Sequence, residues 1–158
     1  MGFWDKVKQV KNMVTGGAAE VVVLFHENEL ELGKPFNITI KAQVKDVDLA
    51  IDKVYLKLRA EERVEGEGVE IEYEEGETEI EREIIHLRTT TYEDKLMVEG
   101  PMTLEAQQVY EWNVQLVIPE DLNGTYKGKF AWHEYALFAG LDAAGNDPDS
   151  GWVPFDIF

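Results

Sequence analysis

The sequence predicts an all-β chain folded as a two-sheet antiparallel β-sandwich or a barrel. Three observations carry this. Apolar and polar residues alternate at period two through most of the chain. Turn signals recur at roughly 8–12-residue spacing, the pattern of sandwiches and barrels. Only the first seventeen residues, MGFWDKVKQVKNMVTGG, show helical spacing instead.

That segment is the first predicted element, an amphipathic helix over residues 1–16. Phe3, Trp4, Val7, Val10, Met13 and Val14 share one face, and Asp5, Lys6, Lys8, Gln9, Lys11 and Asn12 take the other. Gly16-Gly17 stops it. A helix this short is marginal alone and needs something to pack on. The β domain is then expected over 17–158.

AAEVVVLF opens the domain as a β-branched strand, and Gly33-Lys34-Pro35 turns the chain. Phe36, Ile38, Ile40, Ala42 and Val44 alternate with polar residues, as in a half-buried strand. Val54, Leu56, Leu58 and Ala60 mark the next inward face. Val69, Ile71 and Tyr73 then face away from Glu70, Glu72 and Glu74. Gly76 permits a hairpin turn, and Ile80 and Ile84 alternate with Glu79, Glu81 and Glu83. Leu96 and Val98 precede the break at Gly100-Pro101. Tyr110 to Ile118 forms an alternating strand ended by Pro119. Tyr126 to Phe138 is the longest late strand, and Trp152 to Phe158 the last.

Composition narrows the function. The chain has 158 residues, no cysteine and a formal net charge of −17. Disulfides, thiolate ligands and a cysteine nucleophile are excluded. Such acidity argues against nucleic acid, whose phosphates would be repelled. No apolar run spans a bilayer and no signal-peptide pattern is seen, so a cytoplasmic protein is expected. The charge is uneven: residues 1–60 are net +1, 61–100 net −11 and 101–158 net −7.

Catalysis finds little support. His26, His86 and His133 fall in separate predicted strands, without H-x-x-x-H or H-E-x-x-H spacing. Ser150 is the only serine and lies outside any G-x-S-x-G. There is no phosphate-binding glycine motif. No enzyme activity and no cofactor are expected. Two features offer binding surfaces. The run Glu61 to Glu83 predicts a hairpin whose carboxylate face, with Glu70, Glu72, Glu74, Glu79 and Glu81, is either a solvated face that discourages edge pairing or a docking surface for a basic protein. The N-terminal helix, through Phe3, Trp4, Val7 and Val10, is expected to pack on its own domain, bind a partner or self-associate. Membrane contact through its lysines is weighed below these, given the acidic body. The loop LDAAGNDPDSG carries Asp142, Asn146, Asp147 and Asp149. It fails the EF-hand register, because position 3 counted from Asp142 is Ala144 and position 12 counted from Asp147 is Phe158. A turn explains the same residues, and a looser Ca²⁺ or ligand site is the alternative.

The order of features resembles the sporulation-control (Spo0M-like) family, whose fold is similar to the arrestin N-terminal domain and Vps26. The resemblance rests on MGFWDKVK…GGAAEV, on Leu32-Gly33-Lys34-Pro35 before Ile38-Thr39-Ile40, and on Ile51 to Leu58. It continues through Trp112-Asn113-Val114…Ile118-Pro119 and Glu134-Tyr135-Ala136-Leu137…Gly140-Leu141-Asp142. It implies an arrestin-like (immunoglobulin-like) two-sheet β-sandwich acting as a non-catalytic scaffold or adaptor for other proteins. The chain holds about one arrestin domain, and Val21 to Phe25 lacks the lysines with which arrestins engage phosphates. Phosphorylated-receptor binding is therefore not implied.

Overall fold

The computed structural model describes residues 17–158. The predicted N-terminal helix, with Phe3, Trp4, Val7 and Val10, lies outside the described residues. The described chain is all-β. Its nine strands are β1 (Ala19–Phe25), β2 (Phe36–Val44), β3 (Leu49–Glu74), β4 (Glu77–Glu99), β5 (Met102–Leu104), β6 (Val109–Leu116), β7 (Tyr126–Lys127), β8 (Ala131–Ala143) and β9 (Asp149–Phe155).

They form two antiparallel sheets. The smaller has the order β1-β2-β6. The larger runs β4-β3-β8-β7, with β5 also on β3 and β9 also on β8. Registers show why six strands fill four positions. β5 pairs Leu49 to Ile51 of β3 while β4 pairs the residues from Val54 onward, so β5 continues β4 past the Gly100-Pro101 break. β7 and β9 likewise share one edge of β8.

Alternation builds the core. Phe36, Ile38, Ile40, Ala42 and Val44 of β2 are buried against Val54, Leu56, Leu58 and Ala60 of β3 and Tyr135, Leu137, Ala139 and Leu141 of β8. Phe25, Phe36, Tyr135 and Phe155 close one region as an aromatic cluster with ring centroids 5.2–6.3 Å apart.

Three features depart from the sequence reading. The predicted strand Tyr126 to Phe138 is two elements, because the chain turns at Gly128. There the amide donates back to the Ala131 carbonyl at 2.8 Å. The segments around Leu56 and Ile71 are one strand of 26 residues, running straight through Gly66 and Gly68. Gly68 leaves space that Ile85 fills, since a Cβ at Gly68 would lie 2.6 Å from the Ile85 Cδ1. The last strand starts at Asp149, earlier than Trp152, and carries a bulge in which Ser150 and Gly151 face Ala139. Gly151 takes a φ of 64°, and the buried Ser150 hydroxyl accepts the Ala139 amide at 2.9 Å. The only serine thus replaces a ladder bond that the bulge removes.

Candidate interaction surface

β3 is tied to β8 only as far as Val64↔Ala131, with one further bond from the Glu65 amide to the Phe130 carbonyl. Beyond it, among the described residues, β3 and β4 pair with each other alone, up to Glu74↔Glu77. The result is a two-stranded arm that projects about 30 Å past the sandwich at the usual strand rise. Its tip is the two-residue loop Glu75-Gly76, with φ of 43° and 91°, the positive-φ pair that matches strand twist.

Opposed residues on antiparallel strands share a face. The pairs Glu70↔Glu81, Glu72↔Glu79 and Glu74↔Glu77 therefore put carboxylates together. The structure brings all five predicted partner-binding glutamates, Glu70, Glu72, Glu74, Glu79 and Glu81, onto one face. The opposite face holds Val69↔Arg82, Ile71↔Ile80, Tyr73↔Thr78 and Glu67↔Ile84. Alternation sets these apolar residues on the side away from the glutamates and does not say what covers them. They are uncovered among the described residues: Val69, Ile71, Tyr73, Ile80 and Ile84 are 49–78 % exposed. The signal was available in the two glycines, which supply no side chain to pack on, and in the absence of a later strand long enough to pair that far.

The apolar face continues onto the outer face of the larger sheet, where cations stack on aromatic rings. The Arg59 guanidinium lies 3.9 Å from the centroid of Trp152, Arg63 lies 5.7 Å from that of Trp132, and the Lys57 ammonium lies 5.3 Å from that of Phe138. The arginines are also paired: Arg63 with Glu134 at 2.6 Å, Arg59 with Glu61 at 3.6 Å, and Arg88 with Glu61. His86 faces Glu65 at 3.3 Å at the foot of the arm.

The Asp142–Asp149 region connects β8 to β9, and its carboxylates serve the chain itself. Asp147 accepts the Tyr55 hydroxyl at 2.9 Å and the Ala143 amide at 3.2 Å. Asp149 accepts the Gly151 amide at 2.8 Å, and Asp142 lies 3.8 Å from the Lys53 ammonium. Among the described residues no three His, Asp or Glu side chains come together as a group that could hold a metal. Every buried side-chain nitrogen or oxygen among the described residues has a hydrogen-bond partner.

Burial, followed by the bond to Asp147 and the charges of Asp147, Asp149 and Asp142, pushes the Tyr55 phenol well above its usual value. The folded chain therefore holds a proton that the unfolded chain releases near pH 10. The stability this group contributes is intact below about pH 10 and is lost as pH rises above it. Urea midpoints between about pH 9 and pH 12 should fall for the native chain, and fall less steeply for Tyr55→Phe. Identical slopes would show that the Tyr55–Asp147 pair is not the cause.

The chain is thus a two-sheet antiparallel β-sandwich carrying a projecting two-faced arm. It belongs to the Spo0M family: the family model described as SpoOM protein matches residues 7–148. Among solved structures, Spo0M, the sporulation control protein from Bacillus subtilis, is 17% identical with a TM-score of 0.59. That match covers 90% of this chain and 50% of that one, so the chain spans about half its length. The C-terminal domain of wzt is a looser likeness at 12% identity and a TM-score of 0.46, covering 92% of this chain and 77% of that one. No curated protein matches the chain. Among the described residues no helix is long and apolar enough to cross a membrane.

Proposed function

We propose that the chain is a non-catalytic interaction module, an intracellular scaffold or adaptor that recognises other protein through its arm. The family it belongs to suggests a regulatory setting of the sporulation-control kind. One observation carries the reading: a ribbon with five large apolar side chains open on one face and glutamates on the other is stabilised fully only when something covers it. The glutamate face adds long-range attraction for a basic partner and little affinity of its own.

The test is affinity capture from native lysate with the full chain and with Ile71→Glu/Ile80→Glu. Both sites are exposed, so the variant should melt within a few degrees of the parent. A reproducible partner is expected on the parent and not on the variant. A partner retained equally by both would remove the arm from the contact.

A further inference from the structure

We infer that the apolar face of the arm receives the first sixteen residues of a second copy of this chain. The inference rests on the reading of the arm as an interaction surface and names its occupant.

Charge selects among candidates. Residues 65–85 hold ten glutamates and one arginine, net −9. Two arms packed face to face would set −9 against −9 across a ribbon's thickness. Residues 1–16 hold Lys6, Lys8 and Lys11 against Asp5, net +2, where the rest of the chain is −19. That segment brings apolar residues and the favourable sign together.

Dimensions agree. At 1.5 Å per residue the predicted helical face from Phe3 to Val14 is about 17 Å long. At about 3.3 Å per residue the apolar ribbon from residue 67 to 73 is about 20 Å. A two-stranded ribbon needs a helix or more strands to become stable, and an amphipathic helix laid along one face meets that need.

Reach decides between cis and trans. The described chain starts beside the foot of β3, where the Lys45 amide donates to the Ala18 carbonyl, just before Leu49. From Leu49 to Val69 is twenty residues of strand, about 65 Å. Sixteen residues span about 24 Å as a helix and about 55 Å fully stretched. A chain therefore cannot lay this segment on its own arm. Two copies side by side and antiparallel place each segment on the other's arm, and the paired contact closes as a two-fold dimer.

Sedimentation velocity on purified chains of all 158 residues tests this with three proteins: the parent, an arm variant Ile71→Glu/Ile80→Glu, and a segment variant Phe3→Glu/Val7→Glu. The parent should dimerise, and each variant should bind itself about 30-fold more weakly or worse, as for loss of a central apolar anchor. An equimolar mixture of the variants should form a heterodimer, since one supplies an intact segment and the other an intact arm. A parent that stays monomeric at about 100 µM overturns the inference, whatever the arm captures from lysate. So does a segment variant that dimerises like the parent, which would mean arm on arm. So does a mixture that stays monomeric. Ile84→Glu, at an exposed site, replaces the arm variant if circular dichroism shows that one misfolded.

Discussion

Gly140→Ala is expected to lower stability by about 3 kcal/mol, a fall of roughly 10 °C in Tm. Gly140 of β8 lies opposite Tyr55 of β3, and the tyrosine ring is folded over it. An added Cβ would sit 2.3 Å from the ring Cζ and 2.4 Å from the hydroxyl oxygen. The ring cannot simply step aside. Phe138 stacks on it at 6.2 Å, and its hydroxyl is held by Asp147. Making room breaks that bond and leaves the β8–β9 turn without the tie. The effect is one of coupling, which a double-mutant cycle reads. In a Tyr55→Ala background, Gly140→Ala should cost less by about 2 kcal/mol, because the atoms it would strike are gone. Thermal melts of the four proteins check this, and additive losses would show that the Tyr55 ring is not the obstacle.

His133→Phe is expected to cost about 3 kcal/mol, two hydrogen bonds lost from a buried site. The ring is 6% exposed and lies 5.2 Å, edge-on, from Tyr135. Its Nδ1 lies 3.0 Å from the Gly124 carbonyl oxygen and its Nε2 lies 2.7 Å from the Thr91 hydroxyl. The carbonyl can only accept, so Nδ1 carries the hydrogen, and the Thr91 hydroxyl at Nε2 also reaches the Ala60 carbonyl at 3.3 Å. Thr91 is the extra residue of the β4 bulge between Ala60↔Tyr92 and Glu61↔Thr90. One side chain therefore joins the loop before β7 to the foot of the arm. Tyr135 holds the same loop through its hydroxyl on the Asn123 carbonyl at 2.6 Å. Phenylalanine fills the volume and satisfies neither neighbour. Urea melts should show the loss, and hydrogen exchange should rise at the arm's foot around Thr90 to Tyr92 before it rises in β2. Unchanged exchange there would mean that the bulge holds itself.

The sandwich was legible because period-two alternation is the signature of a strand with one buried face, and β2 and the first part of β3, through Ala60, bury what the pattern selects. The family resemblance agrees with the match over residues 7–148. Less legible was where strands continue. Gly66 and Gly68 resemble breakers, yet β3 passes through them because Ile85 fills the space one of them leaves. The five glutamates were found on one face, since alternation alone fixes that. What covers the opposite face was not legible, since alternation says which residues share a side and nothing about what lies against it. His133 looked like an isolated histidine because its partners, Thr91 and Gly124, come from other elements. The serine that a triad search discards proved to belong to a bulge.

The spacing of the arm glutamates also bears on how such a chain remains dispersed. Among the described residues β4 is an edge strand of 23 residues, and its outer backbone groups could template a cross-β stack. In an in-register stack each glutamate would sit about 4.8 Å above its own copy, at roughly 0.9 kcal/mol of repulsion even in the dielectric of water. Glu77, Glu79, Glu81 and Glu83 repeat that penalty at every second residue of the strand and again at every layer. The carboxylate row therefore acts as a brake on fibril growth that is set by local geometry and not by net charge.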